Sequence, residues 1–188
     1  FYFVLGKWED IISLFKEDHN KYNDYFHDVR YLWVRPSEEN LQFINDQIHK
    51  QGCHRLISIG CGSGLLEWLL HQATGLDVIG TEVDRLWWES PYAPPKFLPL
   101  VYADETDNCN ILFNEESALL FCYFNNPEAF TEYMKQYKGN CFVVIGPGEG
   151  RGTHTDPAPF DVQLQNWKLD KFQEVQHTKD FIAIYVKS

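Results

Sequence analysis

The chain has few basic residues. Its 188 residues include 16 Lys and Arg against 27 Asp and Glu, which gives a formal net charge of −11 at pH 7. Nucleic-acid binding needs a basic stripe that neutralises phosphates, and the basic residues here are scattered along the chain. The composition therefore argues against a nucleic-acid substrate and favours a small molecule or a protein side chain as partner. It leaves the oligomeric state open.

Long apolar runs and paired cysteines are also lacking. No apolar run approaches the roughly 18 residues of a membrane helix, so we expect no membrane span. The five cysteines, at positions 53, 61, 109, 122 and 141, form no C-x-x-C pair and have no histidine at zinc-ligand spacing. We therefore expect buried free thiols, no metal site and a reducing, cytoplasmic compartment.

The chain has enough apolar residues to form a globular core, since 44% of its residues are hydrophobic and 16% are aromatic. Such a composition argues against disorder, and the length suits one compact domain with an extension. Apolar residues recur at helical spacing first, and apolar strands alternating with helices follow. This order predicts an N-terminal helical cap over residues 1–51 and an α/β domain over 52–188.

A glycine-rich turn after the first predicted strand carries the strongest functional signal. Gly60, Gly62 and Gly64 separate an apolar strand from an apolar helix that begins at Leu65. Glycines at such positions allow a sharp turn, a close approach of backbone to ligand and tight helix packing. A dinucleotide fingerprint needs Gly or Ala where Leu65 stands, which disfavours a nicotinamide oxidoreductase. The Gly-x-Gly-x-Gly spacing instead resembles motif I of the class I S-adenosylmethionine-dependent methyltransferases.

Acidic residues follow at distances that fit a nucleoside ligand. Glu82 ends the second predicted strand, 22 residues after Gly60, and an acid about 20 residues on can accept both ribose hydroxyls. The resemblance assigns this role to Glu82 in preference to Asp84. It also implies that Val83 packs on the adenine ring and that Asp104, after a third strand predicted over 97–102, accepts from the adenine amino group.

The resemblance implies a Rossmann-like α/β fold with a seven-stranded, mostly parallel sheet and helices on both faces, in addition to the N-terminal helical extension. Segments 167–176 and 181–186 resemble its closing antiparallel hairpin. The implied cofactor is S-adenosyl-L-methionine. Its implied binding residues are Gly60, Cys61, Gly62, Gly64, Glu82, Val83, Asp104, Tyr123 and Arg35. Arg35 would pair with the methionine carboxylate, although a surface arginine in a turn is the alternative.

The segment after the fourth predicted strand departs from the family pattern. Many of these enzymes have Asn/Asp-Pro-Pro-aromatic there, whereas this chain has Tyr123-Phe124-Asn125-Asn126-Pro127. Asn125 could orient a substrate group, but turn or helix-capping duty is the favoured explanation of the asparagine pair. The candidate substrate-lining aromatics are Trp33, Trp87, Trp88 and Phe124. Packing beneath loops is the alternative for the two adjacent tryptophans.

A second glycine-rich loop follows the fifth predicted strand and contains His154 and Asp156. Histidine is suited to proton transfer near neutral pH, so we predict His154 as a general base oriented by Asp156. A surface histidine is the alternative. The functional hypothesis is a methyltransferase acting on a small molecule or protein side chain. The competing hypothesis is a non-catalytic S-adenosylmethionine-binding sensor or scaffold.

Overall fold

The computed structural model describes residues 7–17, 32–102 and 114–188 of the chain. Two helices, α1 (Trp8–Glu17) and α2 (Glu38–Lys50), precede the first strand. Further helices among the described residues are α3 (Leu65–Thr74), α4 (Arg85–Trp88) and α5 (Pro127–Gln136). The strands are β1 (Arg55–Ile59), β2 (Asp77–Glu82), β3 (Leu100–Tyr102), β4 (Ser117–Cys122), β5 (Cys141–Pro147), β6 (Trp167–Val175) and β7 (Asp180–Lys187).

All seven strands belong to one sheet with the order β3-β2-β1-β4-β5-β7-β6. The pairs β1–β2, β2–β3, β1–β4 and β4–β5 are parallel, whereas β7 runs antiparallel to both β5 and β6. The predicted Rossmann-like sheet, mostly parallel with a closing antiparallel hairpin, is confirmed. Because parallel strands need crossover connections, helices cover its faces.

The central strands alternate between two cores, one on each face of the sheet. Leu56, Leu120 and Val143 point to the face covered by α1, α2 and α3. Their chain neighbours Ile57 and Leu119 point to the opposite face, which α5 covers. Burial on both faces explains why these strands are almost continuously apolar in sequence. The two N-terminal helices share a core with the sheet, through residues such as Ile11, Phe15, Leu41, Ile44 and Ile48.

Local features mark the ends of three helices. Ser37 caps α2 in a capping box completed by the Asn40 side chain, and Asn126 caps α5 with Pro127 in its first turn. Gly75 ends α3 in the left-handed conformation, with a φ of +74°. Among the described residues, no helix is long and apolar enough to span a bilayer.

The third strand is shorter than predicted. The sequence predicts a strand over 97–102, but β3 pairs with β2 only over Leu100–Tyr102. The Phe97 N–H instead donates to the Ser63 carbonyl, 2.9 Å away, and Pro99 has no N–H to offer a ladder. This exchange ties residues 97–98 to the glycine-rich turn.

Candidate functional site

The strand order reverses between β1 and β4, because β1 lies between β2 on one side and β4 on the other. In open α/β sheets, ligands bind in the crevice at the carboxyl ends of the strands beside such a switch point. The glycine-rich turn, residues 60–64, leaves the carboxyl end of β1, and Tyr123 follows the carboxyl end of β4. The topology alone therefore brings these two segments to a ligand-binding edge.

Two of the turn's glycines are needed for different reasons. Gly62 has a φ of +63°, and a Cβ built there would meet nothing within 4 Å, so its backbone faces open space. Gly64 has a φ of +77°, and its Cβ would overlap the Leu98 side chain. Gly62 therefore exposes backbone to a ligand, whereas Gly64 allows residues 97–98 to pack against the start of α3.

Glu82 joins the end of β2 to this turn. Its Oε1 accepts a hydrogen bond from the Gly62 N–H at 2.6 Å. Burial raises the pKa of the Glu82 carboxyl and outweighs the hydrogen bonds from the Gly62 and Val83 backbones and from the Trp88 side chain. Asp84 has another task, since it caps α4 by accepting from the Trp87 N–H at 2.9 Å. Only the first of the two acids touches the glycine-rich turn.

A cavity of about 120 Å³ lies between this turn and the end of β4. It is here called the switch-point cavity. Five of the predicted site residues line it, namely Trp33, Gly60, Cys61, Gly62 and Tyr123. Drug-sized ligands need about 300–1,000 Å³. The cavity can therefore enclose one small group of a larger ligand, while the rest lies along the open edge of the sheet.

Tyr123 is held by contacts distant in sequence. Its hydroxyl donates to Asp180 Oδ1 at 2.6 Å, and its ring stacks on Trp33 with centroids 5.3 Å apart. Arg151 Nε donates to the same carboxylate at 3.2 Å. Burial, followed by the Asp180 carboxylate, raises the pKa of Tyr123 to about 12. The phenol therefore stays protonated near neutral pH and serves as a fixed wall of the cavity.

The loop after β5 forms a second cavity, of about 510 Å³, lined by Thr153, His154 and Phe160 among others. It is here called the loop cavity. Asn125 and Asp156 form an isolated backbone bridge, which joins this loop to the segment after β4. Within the described part of the chain, no hydrogen bond joins the side chains of His154 and Asp156. The predicted base therefore lines a cavity next to the site without the predicted orienting contact.

The remaining predicted residues lie around the edge. Phe124 covers the turn from the other side, with its ring 3.5 Å from where a Gly60 Cβ would stand. Val83 and Trp87 are exposed, at 72% and 46%. The carbonyl of Arg35 accepts from the Gln176 side chain at 2.8 Å, in the turn between β6 and β7. Asp104 lies outside the described residues.

Sequence reasoning missed one acid in the site. Glu67, in the first turn of α3, also lines the switch-point cavity and is only 2% exposed. Its Oε1 accepts from the Ser58 hydroxyl at 2.6 Å. A signal existed, because Glu67 interrupts the apolar run Leu65-Leu66-Glu67-Trp68-Leu69-Leu70 on a helix facing the core. A carboxylate at a core position calls for a functional explanation.

Comparison with known proteins gives structural relatives only. No protein-family model and no curated protein matches the chain. A mutant of MtNAS superposes with a TM-score of 0.56 at 14% identity, covering 99% of this chain and 73% of the other. The O-methyltransferase from Bacillus cereus, in complex with SAH, gives 0.50 at 11% identity over 96% and 90%. TomG from Streptomyces achromogenes, an O-methyltransferase in complex with SAM, gives 0.50 at 13% identity over 97% and 98%. At these identities the likeness shows the fold alone, a Rossmann-like α/β fold that this chain shares with the two O-methyltransferases.

Proposed function

We propose that this protein binds S-adenosylmethionine at the switch point and transfers its methyl group to a small molecule or a protein side chain. The observation that carries the proposal is the contact between Glu82 and Gly62, 2.6 Å long, beside the switch-point cavity. It places a carboxylate suited to ribose hydroxyls against the glycine-rich turn. The two O-methyltransferases of the same fold, crystallised with SAH and SAM, support the choice of cofactor.

Described residues suit three parts of this cofactor. Glu82 offers carboxylate oxygens for the ribose, and Val83, exposed beside it, offers an apolar side chain for the adenine ring. The switch-point cavity accepts the amino-acid portion. Gly62 lies beside Glu82 and has open space where a side chain would stand.

When bound, S-adenosylmethionine supplies an electrophilic methyl group on a sulfonium. In-line displacement at such a carbon needs alignment and exclusion of water, with a base where the acceptor carries a proton. The loop cavity is large enough for a small acceptor, and Tyr123 links it to the switch-point cavity. The Tyr123 ring lines the latter, while its hydroxyl interacts with Thr153 in the loop cavity. We assign His154 as the proton acceptor at this position.

Replacement of Glu82 by alanine is expected to weaken binding of S-adenosylhomocysteine by about 1.5–3 kcal/mol, roughly 10- to 150-fold. The variant loses charge-assisted hydrogen bonds to the ribose. Isothermal titration calorimetry, on protein whose circular dichroism matches that of the wild type, measures the change.

Asp84→Ala is the matched control, because Asp84 lies two residues away and only caps α4. Its S-adenosylhomocysteine affinity is expected to stay within about threefold of the wild type, since a lost cap costs local helix stability. Equal losses in both variants would refute the role of Glu82. Binding of NAD in place of S-adenosylhomocysteine would refute the cofactor itself.

A further inference from the structure

Glu67 is a buried acid with one unused oxygen. Its side chain is 2% exposed, and its Oε1 accepts from Ser58. Within the described part of the chain, Oε2 is buried and has no hydrogen-bond partner. Buried carboxylate oxygens are almost always satisfied, and leaving one without a donor is costly. The unused oxygen therefore points to a donor that arrives with a ligand.

The surroundings of Glu67 select the chemistry of that donor. Of the described residues that line the switch-point cavity, none is basic. The carboxylate of Glu82 adds negative charge from β2. The remaining lining includes the aromatic residues Trp33 and Tyr123, whose rings stack on each other. The donor that fits the unused oxygen of Glu67 in this environment is a cation with N–H groups. The cavity volume, about 120 Å³, limits it to a small group such as a primary ammonium.

We propose that Glu67 accepts the ammonium group of the ligand's amino-acid portion, and that entry of this ammonium expels a proton from the Glu67 carboxyl to solvent. The proposal rests on the proposed function, because S-adenosylmethionine and S-adenosylhomocysteine both carry this ammonium. The proton balance is simple: a neutral carboxyl becomes a carboxylate paired with the ammonium, and one proton leaves.

The ionisation of Glu67 supports this exchange. Burial is the main cause that raises the pKa of Glu67 to about 7. The hydrogen bond from Ser58 lowers this pKa, and the nearby Glu82 carboxylate raises it further. The other titratable residues that line the cavity are Cys61, Cys122 and Tyr123. Burial raises the pKa of all three, so they stay neutral. Below pH 7 the free site therefore holds a proton on Glu67 that an ammonium ligand must displace.

The test is calorimetric binding of S-adenosylhomocysteine between pH 5.5 and 7.5, in two buffers with different ionisation enthalpies. The affinity of the wild type is expected to rise about 20-fold over this range. The released proton is taken up by the buffer, so the measured binding enthalpy should differ between the two buffers in proportion to their ionisation enthalpies. Glu67→Gln, which keeps the shape and the Ser58 contact, is expected to bind 10- to 100-fold more weakly at pH 7.5. The affinity of the variant should change less with pH than that of the wild type.

5′-Methylthioadenosine is the matched control ligand, because it lacks the amino-acid portion. Its affinity is expected to differ less than threefold between wild type and Glu67→Gln. Equal loss of both ligands in the variant would overturn the proposal by making Glu67 a support for the turn. Unchanged S-adenosylhomocysteine binding in the variant would also overturn it and leave the proposed function standing. Failure of the wild type to bind either ligand would refute the proposed function and this inference together.

Discussion

The Glu67→Gln variant is expected to be about 3 kcal/mol more stable than the wild-type protein at pH 9, and the difference should fall below about 1 kcal/mol at pH 5. Burial raises the pKa of Glu67 from its usual 4.5 to about 7 in the folded protein. The folded state therefore holds this proton more tightly than the unfolded chain does. Stability from this group is fully present below pH 4.5 and is lost as the pH rises to about 7. Glutamine resembles the protonated acid and does not titrate.

Chemical denaturation of both proteins at several pH values measures the difference directly. Glu115→Gln is a suitable control, because Glu115 is exposed and such surface changes usually stay within about 0.5 kcal/mol. Its difference from the wild type should not vary with pH in the way that the Glu67→Gln difference does. A Glu67→Gln difference that is constant from pH 5 to pH 9 would mean that Glu67 is already ionised in the folded protein at pH 5.

A gain in stability upon losing Glu67 has a functional meaning. Active sites retain groups that cost stability when those groups serve binding. Glu67 lies in an otherwise apolar stretch of α3. An apolar side chain such as leucine would stabilise the folded protein more at this position. A Glu67→Gln protein that is more stable above pH 7 and yet binds S-adenosylhomocysteine more weakly would therefore show that Glu67 lowers stability but contributes to binding.

The sheet was predictable because its signals are local. Central parallel strands are buried on both faces, so β1, β4 and β5 are each apolar runs in the sequence. Glycines mark the ends of β1 and β5, and an asparagine pair followed by proline comes after β4. The predicted third strand begins too early because residues 97–98 are also apolar. Their packing against Gly64 and the contact of Phe97 with Ser63 depend on the folded turn, which a sequence pattern does not reveal.

The candidate site also has some residues that sequence spacing reveals and some contacts that only the fold reveals. Gly62 and Glu82 could be found from spacing, because both sit at strand ends. The Tyr123–Asp180 hydrogen bond joins residues 57 positions apart, and no periodicity links a residue after β4 to the start of β7. The Ser58–Glu67 pair is close in sequence but crosses from strand to helix, so only the fold shows that the two side chains meet.

His154→Ala is expected to lower methyl transfer to a proton-bearing acceptor about 10²- to 10⁴-fold while leaving S-adenosylhomocysteine affinity nearly unchanged. An imidazole in the loop cavity can take the acceptor's proton near neutral pH, whereas the cofactor's proposed contacts lie in the glycine-rich turn and Glu82. Transfer of tritium from methyl-labelled S-adenosylmethionine to a panel of phenol, amine and thiol acceptors measures the rate. Calorimetry measures the affinity.

His54→Ala is the matched control, since His54 directly precedes β1 and so lies at the opposite, amino end of the sheet. It should transfer methyl groups at the wild-type rate. A His154→Ala protein with unchanged turnover would remove His154 as the base and leave alignment by the site as the sole source of rate. Tight binding of S-adenosylhomocysteine by a wild-type protein that methylates no acceptor in the panel would instead favour a sensor. The loop cavity, about 510 Å³ in volume, would then be left without an assigned ligand.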